Sequence, residues 1–121
     1  MTSPKTTEIP LERISDLQSR LPAANTADVT IEVLGKDLGD QVQAQRLPWH
    51  SLIYDLSNDI LELSVGGRDH RVPVVLRHEI HHPSRVWTEE FDGSVRAISI
   101  ESSDESQTIV RFHQRPKLSP G

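Results

Sequence analysis

Beyond residue 27 the apolar residues of this chain recur at every second position instead of every third or fourth. That change of period constrains the fold more than any other feature. Val29, Ile31 and Val33 alternate with Thr30 and Glu32, the pattern of a half-buried strand. Residues 41–47 read as a partner strand with Gln41, Gln43 and Gln45 on its wet face, and residues 51–55 as a third. Leu56 to Asp59 is a turn, and Leu61, Leu63 and Val65 form the dry side of a fourth strand. Gly66 and Gly67 open the next turn, since glycine supplies the positive φ of tight hairpins. Residues 71–76 are a fifth strand, with Pro73 pointing to an edge because it cannot donate a ladder bond. Residues 85–91 and 95–101 flank Asp92-Gly93, the strongest short-range hairpin signal, and residues 108–113 follow a turn at 102–105, with Val110 and Phe112 sharing a face.

The fold class is therefore α+β, mainly β: an antiparallel meander of seven or eight short strands that can curl toward a barrel, with one N-terminal amphipathic helix. Parallel units are excluded because no crossover helix separates the strands. The helix is read from Leu11, Ile14, Leu17 and Leu21, which share about a third of a helical wheel, with Glu12, Arg13, Asp16, Gln18 and Arg20 opposite. Pro10 suits its first position and Pro22 stops it after about three turns. So short a helix is marginal alone, so its stripe must pack on the sheet or plug one end. Residues 1–8 and 115–121 are expected to be flexible tails around one folded domain, residues 9–114.

Only 35% of residues are apolar and 4% aromatic, so the core is aliphatic, anchored by its few large pieces: Trp49, Trp87, Tyr54, Phe91 and Phe112. Without cysteine, disulfides, thiol catalysis and cysteine zinc sites are excluded. No run approaches the roughly 18 apolar residues of a membrane helix, and no secretory signal precedes the body, so the expectation is a cytoplasmic protein without a membrane partner. The net charge of −5 and the lack of an aromatic stacking motif disfavour nucleic acid.

The charge is uneven. Between residues 68 and 85, Arg68, Arg71, Arg77 and Arg85 face only Asp69 and Glu79, with four histidines besides; from 89 to 105 six acids accompany Arg96 alone. A basic loop beside an acidic hairpin could bind a protein partner, or pair two copies as a homodimer whose strength changes as imidazole titrates near 6.5.

One motif carries chemistry on paper. His78-Glu79-Ile80-His81-His82 satisfies His-Glu-x-x-His, which on a helix places two imidazoles on one metal with the glutamate activating water. The context is wrong for a helix. Pro83 follows directly, and the residue before a proline avoids the helical region. The preceding residues 72–77 read as extended, and four residues of strand span about 13 Å at roughly 3.3 Å each. His78, His81 and His82 are thus the candidate metal ligands, in a setting that favours ordinary surface histidines. Glu101, where some zinc proteases place a third ligand, lies at the end of a strand. Asp55 and Asp59 flank a turn where aspartate is a good turn residue, and no nucleophile elbow or phosphate loop is present.

The strands and turns from Val29 to Val65, together with His82-Pro83-Ser84-Arg85-Val86, the Asp92-Gly93 hairpin and Ile98-Ser99-Ile100-Glu101, resemble an uncharacterised bacterial family of small proteins, one of the numbered domains of unknown function. The resemblance spans roughly residues 28 to 113. It implies a soluble, compact bacterial domain and lends neither an activity nor catalytic residues. The expected function is a non-catalytic interaction or regulatory module that needs no cofactor. The alternatives are a small metal-dependent hydrolase on His78, Glu79 and His82, and a small-molecule sensor closing a barrel mouth around its ligand.

Overall fold

The computed structural model describes residues 4–23, 26–35, 39–66 and 76–113. Among these residues eight antiparallel strands form one sheet: β1 (Lys5–Ile9), β2 (Asp28–Gly35), β3 (Gly39–Asp55), β4 (Ile60–Val65), β5 (Leu76–His81), β6 (Pro83–Phe91), β7 (Ser94–Ser102) and β8 (Gln107–His113), in the lateral order β1-β6-β7-β8-β2-β3-β4-β5. Two meanders, β2 to β5 and β6 to β8, are joined where β8 pairs with β2. Chain continuity then curls the sheet, because β5 runs into β6 with only His82 between them. His82 has φ 54°. Its N–H donates to the Asp59 carbonyl (2.8 Å), and its carbonyl accepts from the Ser103 N–H (3.0 Å). Two turns thus supply the partners that a sharp corner would otherwise leave unmade.

The expected curl toward a barrel stops short of closure, and β1 is the reason. The free edge of β6, which β5 would need to close a ring, is occupied by β1 in the register Lys5↔Glu90 to Ile9↔Val86. Residues 5–8, assigned to a tail by their position, are therefore an edge strand. Thr6 and Thr7 favour extended backbone, and Ile9 packs against the core. Residues 114–121 and 67–75 lie outside the described residues, and with them the expected C-terminal tail and most of the fifth strand placed at 71–76. Residues 77–81, within the stretch expected to be a basic loop, belong to β5.

The two strands expected at 41–47 and 51–55 are one strand of 17 residues. Pro48 reads as a break because it has no N–H to donate. Here it stands at the changeover between neighbours: Asp28 of β2 opposes Pro48, and Trp49 opposes Val65 of β4. Its carbonyl still accepts from the Gly66 N–H at 2.8 Å. Register shifts on both sides and Arg46 at φ 52° bend the strand, as bulges do. The β6–β7 hairpin turns on Asp92 (φ 52°) and Gly93 (φ 78°), the two positive values that a type I′ turn requires.

Inside the curl lie Val29, Ile31, Trp49, Leu61, Leu63, Val65, Val86, Ile98, Ile100 and Val110, all fully buried. The helix is shorter than expected. Leu11–Arg13 is a 3-10 turn capped by Pro10, and α1 spans only Ile14–Gln18, with no side-chain cap at either N-terminus. Its stripe still packs as expected, with Ile14, Leu17 and Leu21 buried and Leu11 against them. Arg20 pairs with Glu90 of β6 and ties the end of the helix to the sheet.

The large side chains divide. Trp49 is buried and meets Phe112 edge-on at 5.1 Å, while Tyr54 and Phe112 pack against the core. Trp87 does not anchor it. Val86 and Thr88 point inward, so the pleat puts Trp87 on the outer face, with the Arg85 guanidinium 5.6 Å from its ring. Phe91, near the hairpin turn, is half-buried beneath Arg96.

Candidate functional site

Once β2 has ended opposite Pro48, β3 continues with only β4 beside it among the described residues. The 3-10 turn and α1 lie along that unpaired side, and Gln18 accepts the Leu52 N–H through Oε1 at 3.1 Å. Between helix and strand runs an open groove of about 400 Å³, floored by Ile14, Leu52 and Tyr54, with Leu11, Ile53 and Leu56 on its walls and Glu12 and Ser15 on its rim. Ile53 is 56% and Leu56 75% exposed. These are large apolar side chains left in water beside a recess lined by their own kind.

At the end of the groove, Tyr54 donates its hydroxyl hydrogen to Asp59 Oδ1 at 2.5 Å, and Asp59 Oδ2 lies 3.1 Å from His82 Nδ1. Asp59 sits at φ 54°, a conformation aspartate tolerates better than most residues. One carboxylate thus holds the β3–β4 turn, the end of β3 and the β5–β6 corner together. Its neighbour Asp55 is a turn residue, as expected: Oδ1 accepts from the Ser57 N–H and hydroxyl, and Oδ2 from the Asn58 amide. The hydrogen bonds from Tyr54 and then His82 lower the Asp59 pKa. Donating to a carboxylate pushes Tyr54 up to about 12, with burial and the Asp59 and Asp55 charges adding to it.

The pH dependence follows with opposite signs at the two ends. The lowered Asp59 contributes stability that is present above its unfolded pKa and lost as pH falls through the folded value. The raised Tyr54 contributes stability that is present below its unfolded value near 10 and lost as pH rises toward about 12. Tyr54 is the only tyrosine in the chain, so absorbance at the phenolate band reads it alone. The expected midpoint in the native protein is near 12, returning toward 10 in Asp59→Asn; equal midpoints in the two proteins would show that the bond does not form.

The histidines of the His-Glu-x-x-His match are not brought together. In β5, His78 opposes Leu63 and faces inward, half-buried, with its pKa lowered by desolvation. Glu79 and His81 alternate with the inward Ile80 and are exposed. The glutamate that would activate water therefore points away from the first imidazole, and His82 is engaged by Asp59. Among the described residues no three His, Asp or Glu side chains are grouped as a metal site. Glu101 lies in β7, opposite Arg85 and Gln107. Of the basic stretch, Arg77 reaches Glu62 at 3.7 Å and Arg85 reaches Glu8 at 3.5 Å. On the acidic side, Glu90 holds Arg20.

The sequence singled out neither the groove nor the Tyr54-Asp59-His82 array. The helical stripe signalled one wall. The array had no signal, because His82 is 23 residues from Asp59 and only the corner brings them together.

Comparison with known proteins adds kinship. A model of a family of unknown function, DUF5335, matches residues 6–120. An uncharacterized protein of Aquifex aeolicus (strain VF5) is 30% identical over 97 residues, which cover 80% of this chain and 78% of the relative. No solved structure matches the chain. No helix among the described residues is long and apolar enough to cross a membrane.

Proposed function

For a chain that belongs to the DUF5335 family of unknown function, we propose the role of a non-catalytic interaction module, with the groove beside α1 as its contact surface. The observation that carries this reading is the exposure of Ile53 and Leu56 on the walls of an apolar recess, since clustered apolar side chains in water mark contact sites more often than chance. The groove receives an apolar side chain or two from a protein partner. The acidic rim residue Glu12 and the nearby Asp55, on a chain of net charge −5, favour a partner segment carrying Lys or Arg around that apolar anchor. Tyr54 and Asp59 serve this surface by fixing its far end, not by moving protons. A sensor that closes a barrel mouth has no counterpart in a sheet that stays open.

Selection of displayed peptides on the purified protein tests the reading. Peptides with an apolar anchor flanked by basic residues are expected. Leu56→Glu should weaken their binding by at least tenfold, and Ile53→Thr by less, with unfolding midpoints unchanged because both residues are largely exposed. Binding that survives both substitutions, or selection of no such peptide, would remove the groove from the account.

A further inference from the structure

The outer edge of β5 is one end of the sheet, and we propose that it pairs antiparallel with β5 of a second copy of this chain, in a register centred on His78. This surface lies beyond β4 from the groove and stands whether or not the groove has a partner. An edge strand presents unpaired backbone donors and acceptors and is a template for another strand. Among the described residues β5 is paired on its β4 side alone, from Ile60↔His81 to Val65↔Leu76.

Symmetry limits the registers. A twofold axis between two antiparallel edges stands perpendicular to the sheet and keeps each face on its own side. Opposed residues then share a face, so the register must centre on a residue and not between two. Centring on Arg77 or on Glu79 would set like charges against each other. Centring on Ile80 would leave little strand before the His82 corner. Centring on His78 places Arg77 opposite the partner's Glu79 and Glu79 opposite the partner's Arg77, both on the outer face where these side chains are exposed. On the inner face the same register sets Leu76 against the partner's Ile80. In this register Leu76, Arg77, Glu79 and Ile80 are each complemented, and His78, half-buried on the inner face, meets its own copy.

Glu79 supplies a second reason. Its cross-strand neighbour in the protomer is Glu62, a like-charge pair that works against the sheet. Arg77 reaches Glu62 at 3.7 Å, and among the described residues Glu79 has no cation of its own. The partner's Arg77 would supply one from the open side. The other edge offers no such match. Centred on Thr6 or on Thr7, β1 sets Lys5 against threonine or isoleucine and never against Glu8.

Sedimentation of the full chain over a concentration series tests the proposal, paired with amide exchange to locate the contact. A dimer is expected, with amides of β5 protected as it forms. Arg77→Glu and Glu79→Arg should each weaken it about thirtyfold, because two symmetry-related pairs turn repulsive at once. The double variant Arg77→Glu with Glu79→Arg should recover the dimer, since the swapped charges again oppose one another. Each variant keeps an exposed charged residue at its position, so loss of folding is not expected, and unfolding midpoints check this. A monomer at all concentrations in low salt, a dimer indifferent to both single variants, or a double variant no better than either would overturn the pairing.

Discussion

Trp49→Ala is expected to cost about 3–5 kcal/mol of folding stability and to lower the unfolding midpoint by roughly 10–25 °C. Trp49 is the largest fully buried side chain, with no exposed surface at all. It stands where β3 passes from β2 to β4, with its own N–H donating to the Ala27 carbonyl at 2.8 Å. Its ring meets Phe112 of β8 edge-on. Truncation therefore empties the inside of the bend, where a side chain of one meander meets a side chain of the other. A domain of this size has about 5–15 kcal/mol in all, so the variant should be partly unfolded in mild denaturant. Trp49→Phe separates volume from polarity. It keeps an aromatic edge for Phe112 and removes a buried indole N–H that has no hydrogen-bond partner among the described residues. An unmet buried donor is itself a cost, so this variant should lose less than half as much as alanine. Denaturant melts of the three proteins decide the matter, and an alanine variant within 1 kcal/mol of the parent, a margin below any core truncation of this size, would show that the bend is not packed around Trp49.

Period and turn chemistry carried most of the fold into view, because both are local. Leu61, Leu63 and Val65 alternate into the core and Asp92-Gly93 makes its hairpin because the pleat and the type I′ turn each act over a few residues. The strands read on either side of Pro48 are one strand for the complementary reason. A missing N–H reads as a break unless the neighbouring strand is known to leave at that residue, and sequence order does not say so. Most of β1 was hidden the same way: Lys5 to Glu8, with no large apolar side chain, look like a tail until β6 offers them an edge. That single omission also hid why the sheet stays open, since β1 takes the edge a closed barrel would need. The groove and the Asp59 array arise from two such long-range events, the docking of α1 on β3 and the His82 corner. The His-Glu-x-x-His match has the opposite history. Its residues are adjacent in sequence and were easy to see, but strand geometry places the first imidazole and the glutamate on opposite faces of β5.

Leu17→Ala should be the second most damaging of these substitutions, at about 2–5 kcal/mol. Leu17 is 2% exposed and comes from a helix of five residues, well short of the roughly 12 to 15 at which an isolated helix becomes marginal in water. With no side-chain cap at its N-terminus, α1 owes its existence to what it buries, chiefly Ile14, Leu17 and Leu21, and to the Gln18–Leu52 and Arg20–Glu90 links. Removing the central side chain should therefore release the helix before the sheet melts. Amide exchange would report this as lost protection at Leu17 to Leu21 and at the Leu52 N–H, while β7 and β8 stay protected. Because α1 is one wall of the groove, peptide binding there should fall along with the helix, unlike Leu56→Glu, which should reduce binding at unchanged stability. Asp16→Ala, on the exposed side of the same helix, should stay within about 0.5 kcal/mol of the parent. If Leu17→Ala were as mild as Asp16→Ala, the helix would be an ornament on a self-sufficient sheet. The groove would then lack a fixed wall, and the interaction reading would lose its footing with it.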